Sequence, residues 1–207
     1  MNTWLFVNAA SGSNNDEAVR AVIQAFTDAG AALQRVVDVS ESGPPHQDEL
    51  VRAGVGRLAV FAGDGTTNAV VTALEGWDGQ VLVLPGGTAN LLARTLHGER
   101  DAAAIISALP QLRPVRRPCI RTSQGTALIE VLAGPGATWS DVREVLRDGD
   151  LPGVAASSLE AIRQSTSGPM VAVSDPAIGR PEGYSGVRLE PAAGGMLVEG
   201  YGADTVA

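Results

Sequence analysis

The chain has 207 residues, of which 44% are hydrophobic, and this is enough apolar material for one compact domain or two small lobes. Its formal net charge of −8 argues against broad binding to nucleic acids or anionic membranes. All 15 basic residues are arginines, so the chain can have neither the lysine of a Walker-type phosphate loop nor a Schiff-base lysine.

The cellular compartment is suggested by what the sequence lacks. Cys119 is the single cysteine, which excludes an internal disulfide and a cysteine-based zinc site, and its apolar setting predicts a buried side chain. No apolar run reaches about 18 residues, and the N-terminus lacks the basic start of a signal peptide. We therefore expect a cytoplasmic protein whose contact with a membrane is at most peripheral.

Strand-like and helix-like segments alternate over residues 1–112. Apolar runs predict four strands, at residues 4–7, 33–39, 57–62 and 81–84. Helical spacing predicts helices at residues 16–30 (closed by Gly30), at 47–53, after Gly65, from near Ala89, and at 99–109. This alternation is typical of an α/β lobe with a mainly parallel sheet.

From residue 113 the pattern changes to short strands separated by glycine and proline. Two strands joined by a Ser-Gln-Gly turn are predicted within residues 113–134. Further strands are predicted at residues 170–174, 186–190 and 196–201, and helices around 140–147 and 154–163. We therefore predict two domains, an α/β lobe over residues 1–112 and a shortened, β-rich and sandwich-like lobe over residues 113–207.

Three of the predicted strands in the first lobe end in small or polar residues. The sequences are NAASGS from Asn8, GDGTTN from Gly63 and PGGTAN from Pro85. In a parallel sheet the carboxyl ends of all strands lie on one edge, and ligands bind in crevices there. Three such turns on one edge are a stronger signal than one glycine-rich turn alone.

The chemistry of these turns favours an anion. The N–H groups that begin a helix have no helical acceptor and lie at the positive end of the helix dipole, so a phosphate there stabilises both. Glycine leaves the backbone open to a phosphate, and threonine can cap the helix or donate its hydroxyl. The candidate residues are Gly63, Gly65, Thr66, Gly87 and Thr88.

Asp64 is the exception among these residues, because its negative charge beside a phosphate is repulsive. A Mg²⁺ ion between the two, or a proton accepted from an attacking hydroxyl, would give the carboxylate a function. The ordinary interpretation is a turn or helix-start residue, and it would be preferred for GDGT alone. The coincidence of three turns favours the functional interpretation.

At these residues the sequence resembles the catalytic domain of the diacylglycerol kinase family, which includes bacterial lipid kinases and sphingosine kinases. That family has an Asn-Pro-x-Ser-Gly loop, a Gly-Gly-Asp-Gly-Thr loop with a following Asn, and a Pro-x-Gly-Thr-x-Asn segment with a nearby Arg. The chain has NAASG from Asn8, AGDGTTN from Ala62 and PGGTANLLAR from Pro85, in the same order. The likeness covers about residues 1–110 well and the remainder poorly.

The resemblance implies a nucleotide-binding α/β lobe and a β-sandwich-like lobe, with ATP between them. The γ-phosphoryl of ATP would be transferred to a lipid hydroxyl, with a diacylglycerol-like alcohol as acceptor and Mg²⁺ as second cofactor. Asp64 would be catalytic and would assist Mg²⁺ binding. The implied nucleotide-binding residues are Asn8, Ser11, Gly12, Gly63, Asp64, Gly65, Thr66, Gly87 and Thr88.

The chain departs from the family pattern in three places. Ala9 replaces the proline of the first motif, and Ala62 replaces the leading glycine of the second. The second lobe is shorter than is usual in the family and has no clear Asp-Gly carboxylate for the general base. The nearest match is EGYGAD, which makes Glu199 or Asp204 a candidate. A homodimer is one way in which such a lobe could be completed.

Two side chains outside the loops have structural interpretations. Arg94 follows the third loop and is expected to be exposed or paired with a carboxylate rather than to touch a phosphate. His97 is expected to end a helix just before Gly98, where a cation suits the helix dipole. No Gly-x-Ser-x-Gly motif is present, which argues against an α/β-hydrolase.

Two other functions stay open. The chain could be a catalytically silent nucleotide-binding protein that kept the phosphate loops and lost the acceptor site. It could also be a kinase of a soluble acceptor such as NAD, since NAD kinases share the Gly-Gly-Asp-Gly-Thr loop. The PGGTAN segment followed by Leu91, Leu92 and Arg94 favours the lipid kinases.

Overall fold

The computed structural model of the chain describes residues 1–8, 15–135 and 170–201. The chain divides into two compact units, residues 1–117 and residues 118–207. The helices predicted around residues 140–147 and 154–163 lie outside the described residues.

The first unit is built on a four-stranded parallel sheet with helices on both faces. Its strands are β1 (Thr3–Val7), β2 (Leu33–Asp38), β3 (Arg57–Ala62) and β4 (Gln80–Pro85), in the spatial order β2-β1-β3-β4. Its helices are α1 (Asp16–Asp28), α2 (Val39–Ser42), α3 (Gln47–Arg52), α4 (Asp64–Ala73), α5 (Leu91–His97) and α6 (Ala102–Ser107). The α/β class predicted from the alternating segments is confirmed, and α2 is the one short helix that the pattern did not predict.

The core of this unit lies on both faces of the sheet. Along β1, every residue is buried, as expected for a parallel strand covered on both sides. Leu5 packs with Phe26 of α1 and Ile105 of α6 on one face. On the other face, the core consists of Trp4, Phe6, Leu50, Val55, Leu58, Val60, Ala62, Val70 and Leu74. The sheet is therefore fixed from both sides, which holds its carboxyl edge in place.

A polar side chain begins one helix of the first unit, and a glycine ends another. Asp101 precedes α6 and accepts a hydrogen bond from the backbone N–H of Ala104 at 2.7 Å, which satisfies a free donor at the helix start. After α1, Gly30 has φ of 65°, as predicted for the glycine that ends this helix. Within the described ranges, no helix has both the length and the apolar character needed to span a lipid bilayer.

The second unit is antiparallel and β-rich, as predicted. A hairpin of β5 (Ile120–Thr122) and β6 (Gly125–Ala127) comes first and matches the predicted Ser-Gln-Gly turn. The other strands are β7 (Val131–Ala133), β8 (Val173–Ser174), β9 (Ala177–Ile178), β10 (Gly186–Ala192) and β11 (Gly195–Tyr201). Strands β11, β10 and β7 form one sheet in that order, and β8 pairs with β9.

The expectation of a buried Cys119 is wrong, because the side chain is exposed. Cys119 lies in the irregular segment between α6 and β5, directly before the strand. The neighbouring Ile120 is 7% exposed and takes the inward position. The apolar residues around Cys119 in the sequence therefore did not determine whether its side chain is buried.

Replacing Leu50 by alanine is expected to lower the free energy of unfolding by about 2–5 kcal/mol, because the truncation leaves a cavity in the core. Leu50 is 0% exposed, whereas Val51, the next residue of α3, is 64% exposed. Val51→Ala is the matched control and should change the free energy of unfolding by less than about 0.5 kcal/mol. Urea unfolding of both variants tests the packing of α3, and equal destabilisation would contradict it.

Candidate phosphate-binding site

The three polar turns begin at the same edge of the parallel sheet. In the strand register, Val7 pairs with Phe61, Phe61 with Leu84, and Ala62 with Pro85. The strands β1, β3 and β4 therefore end side by side, and their following residues leave the sheet together. This register agrees with the prediction that the turns lie on one edge of the sheet.

A side-chain hydrogen bond joins the first turn to the second. Asn8 follows β1, and its amide Nδ2 donates to the hydroxyl oxygen Oγ1 of Thr66 at 2.8 Å. Thr66 lies in the first turn of α4, and both residues are partly buried. The predicted site residues Ser11 and Gly12 lie outside the described residues.

The first turn of α4 has backbone N–H groups with no acceptor inside the helix. Gly63 is the residue before the helix, has extended backbone angles, and has no side chain to cap the helix. The first helical bond runs from the N–H of Thr67 to the carbonyl of Gly63 at 2.9 Å. The N–H groups of Asp64, Gly65 and Thr66 precede this bond, so the helix offers them no acceptor.

Packing does not explain the glycine at position 65. Gly65 is exposed, and a Cβ built on it meets nothing within 4 Å in the described part of the chain. Its φ also lies outside the left-handed region, so any residue could adopt this conformation. A helical glycine costs about 0.5–1 kcal/mol relative to alanine. What glycine provides at this position is open access to the backbone of the first turn of α4.

The glycines of the third turn do have a packing role. A Cβ on Gly86 would lie 2.6 Å from the backbone nitrogen of Ala62, and one on Gly87 would lie 2.4 Å from Cα of Gly63. Both contacts are with backbone atoms, which cannot rotate away. The second and third turns can therefore touch only because these positions carry no side chain. The predicted contact of Gly87 with a nucleotide stays a prediction.

Asn90 fixes the shape of the third turn. Its carbonyl Oδ1 accepts from the N–H of Gly87 at 2.7 Å, and its Nδ2 donates to the carbonyl of Gly87 at 2.7 Å. Asn90 has φ of 52° and ψ of 40°, a left-handed conformation that asparagine tolerates better than most residues. Thr88 lies exposed inside this closed turn.

The carboxylate of Asp64 binds the start of α5. The N–H of Leu91 donates to Oδ2 at 2.9 Å, and the N–H of Leu92 donates to Oδ1 at 3.0 Å. Asp64 is also the first residue of α4, so the helix-start interpretation describes its backbone. The sequence pattern gave no signal of the partner helix. The predicted catalytic and Mg²⁺-binding roles of Asp64 stay predictions.

Glu199, the candidate general base, lies on β11 of the second unit and is held by hydrogen bonds. Arg188 donates to its carboxylate at 2.9 Å, and the hydroxyl of Tyr201 donates at 3.0 Å. The hydrogen bond from Arg188, helped by the one from Tyr201, lowers the pKa of Glu199 and thereby makes the carboxylate a weaker base. Arg188 also contacts Glu130 and Glu190. A catalytic role of Glu199 stays a prediction, and Asp204 lies outside the described residues.

Arg94 and His97 occupy the expected positions on α5. Arg94 is exposed and pairs with Glu99 at 3.0 Å, which confirms the carboxylate partner. His97 is the last residue of α5 and Gly98 follows it, also as expected. Burial is the main cause that lowers the pKa of His97.

No ready-made metal centre is visible in residues 1–8, 15–135 and 170–201. These ranges contain no group of three or more His, Cys, Asp or Glu side chains placed to hold a metal ion. Mg²⁺ in phosphate sites commonly takes one or two carboxylates together with phosphate oxygens and water, and such a site needs no larger group.

Taken together, the parallel sheet and the turns that follow its strands define an α/β domain with a candidate anion site at its carboxyl edge. The model of the family described as diacylglycerol kinase catalytic domain matches residues 2–117, more than half of the chain. The chain therefore belongs to the diacylglycerol kinase catalytic domain family, and the resemblance seen in its motifs is confirmed. No curated protein sequence matches the chain.

Solved structures share the fold at low sequence identity. A diacylglycerol kinase from Bacillus anthracis str. Sterne is 16% identical at a TM-score of 0.66, with 98% of this chain and 74% of that chain covered. Two candidate diacylglycerol kinases from the same organism are each 18% identical, at TM-scores of 0.51 and 0.52. Their matches cover 65% and 69% of this chain and 50% and 56% of those chains. The chain thus spans about half the length of these two relatives.

Replacing Gly86 by alanine is expected to lower the free energy of unfolding by about 3 kcal/mol, because the new methyl group would overlap the backbone of β3. Gly65→Ala adds the same methyl group where there is open space, and should leave stability unchanged or raise it by up to about 1 kcal/mol. Thermal unfolding of the two variants measures the difference. A Gly86→Ala protein as stable as the wild type would show that position 86 does not lie against the backbone of β3.

Proposed function

We propose that the chain binds Mg²⁺-ATP at the start of α4 and transfers its γ-phosphoryl group to the hydroxyl of a lipid alcohol. The observation that carries this proposal is the exposed glycine at position 65, which packing does not require. Gly65 lies among backbone N–H groups to which the helix offers no acceptor. Membership of the diacylglycerol kinase catalytic domain family supports the reaction class.

The phosphate groups would accept hydrogen bonds from the backbone N–H groups of Gly65 and Thr66. The hydroxyl of Thr66 is well prepared for the same task. Because its oxygen already accepts a hydrogen bond from Asn8, its own proton is left to point to another acceptor, such as a phosphate oxygen. Thr88, exposed in the third turn, would line the same site.

Mg²⁺ would reach the site with the nucleotide and neutralise part of the charge that develops on the transferred phosphoryl group. The chain itself would hold the phosphates in position through fixed backbone dipoles, which need no rearrangement during the reaction. This fits a chain without lysine, because backbone donors replace a basic side chain. The protein would mainly position the groups and exclude unproductive geometries.

The acceptor is proposed from the family, whose name and whose Bacillus anthracis relatives are those of diacylglycerol kinases. The direct test is magnesium-dependent ATP turnover by the purified chain with diacylglycerol in mixed micelles. We expect phosphatidic acid as the product, formed only when ATP, Mg²⁺ and diacylglycerol are all present. ATP binding without turnover would indicate a silent nucleotide-binding protein, and phosphorylation of NAD alone would indicate the soluble-acceptor kinase.

Gly65→Ala is expected to weaken ATP binding by about tenfold or more, since a methyl group would displace a phosphate from the backbone donors by more than one ångström. The matched control is Gly194→Ala, which adds a methyl group at an open glycine of the second unit. Isothermal titration calorimetry of the wild type and both variants gives the dissociation constants. Wild-type affinity in Gly65→Ala would contradict a phosphate at this position.

A further inference from the structure

We infer that Asp64 is a positioning residue whose carboxylate joins the second and third turns, and that it holds the phosphate site in shape without touching the metal ion or the acceptor. This inference rests on the proposed function, because it assigns a role within the same ATP site. It also accounts for a carboxylate in a site that should bind an anion.

The start of α5 lacks the local side-chain cap that α1, α2 and α6 have. At α6, Asp101 caps the helix that it immediately precedes. At α5, the preceding residue Asn90 makes no side-chain bond to the helix, because its amide is used by Gly87. Asp64 supplies the missing acceptors from 27 residues earlier in the chain. Its two oxygens bind two successive N–H groups, so the cap connects separate elements.

This bridge holds the third turn at both of its ends. Gly87 lies against Gly63 at one end, and Leu91 and Leu92 are bound to Asp64 at the other. Thr88 lies between these two attachments. Without the carboxylate, the start of α5 would lose both acceptors, and the turn would be free to move away from the start of α4. The donors of the two turns would then no longer converge on one phosphate.

The same bonds reduce the repulsion between Asp64 and a bound phosphate. Each oxygen accepts a charge-assisted hydrogen bond from the positive end of α5, which offsets part of the negative charge. Each oxygen keeps a second lone pair, but the two N–H groups set the direction of the carboxylate. In this structure both oxygens are directed at backbone N–H groups.

The two roles differ in what happens when the metal ion is removed. A metal ligand contributes to nucleotide binding only while Mg²⁺ is present, and its removal should leave metal-free binding equal or tighter because a negative charge is lost. A positioning residue contributes under both conditions, since it shapes the backbone site itself. Substituting Asp64 should therefore weaken ATP binding in EDTA if Asp64 is a positioning residue, and leave it equal or tighter if Asp64 is a metal ligand.

The experiment measures the dissociation constant of ATP in EDTA and in Mg²⁺ for the wild type and three variants. Asp64→Ala removes both hydrogen bonds, and Asp64→Asn keeps one oxygen acceptor and loses the charge. Asp101→Ala is the matched control, because it removes the cap of α6 in the same unit. We expect Asp64→Ala to weaken ATP binding about tenfold under both conditions, Asp64→Asn about threefold, and Asp101→Ala not at all.

Each of the other possible results contradicts either the positioning role of Asp64 or the proposed function. If ATP binding in EDTA is unchanged or tighter in both Asp64 variants, the positioning role is wrong. It is also wrong if both variants bind ATP as tightly as the wild type and lose turnover to the same extent. If Asp64→Ala does not fold, Asp64→Asn carries the same comparison. If the wild-type chain itself does not bind ATP, the proposed function is wrong, and this result is obtained without the variants.

Discussion

The contact between Gly63 and Gly87 is the constraint on which the candidate site depends. The parallel register of β3 and β4 brings the two turns to one edge, but their backbones can meet there only because position 87 has no side chain. Once they meet, the carboxylate of Asp64 can reach the start of α5. Asn8, which follows β1, is joined to the same region by its hydrogen bond to Thr66.

The proposed site would bind a phosphate through backbone groups, although the chain has 15 arginine side chains. Arg94, the basic residue nearest to the third turn in sequence, is paired with Glu99, and Arg188 of the second unit is surrounded by Glu130, Glu190 and Glu199. Both guanidinium groups are therefore already engaged by carboxylates. In the proposed site, backbone N–H groups, the dipole of α4 and Mg²⁺ would be the positive partners of a phosphate. A net charge of −8 is compatible with such a site, because the attraction is local.

The sequence was sufficient to predict the four strands of the first unit and five of its six described helices, because strands covered on both faces and helices with one apolar face leave clear periodic patterns. It could not separate the roles of the glycines, since Gly65 and Gly86 look alike until their surroundings are known. It also could not find the partner of Asp64, because a cap supplied from another helix leaves no local spacing. The prediction of a buried Cys119 was wrong for a related reason: its burial is decided by tertiary packing rather than by neighbouring residues.

The central claim is that a nucleotide phosphate binds to the backbone at the start of α4. Amide hydrogen exchange of the chain with and without Mg²⁺-ATP tests it most directly, because exchange reports on the N–H groups themselves. The account predicts slower exchange at Gly65 and Thr66 when the nucleotide is present, with little change on the opposite edge of the sheet. Unchanged exchange at these amides, with protection elsewhere in the first unit, would contradict it.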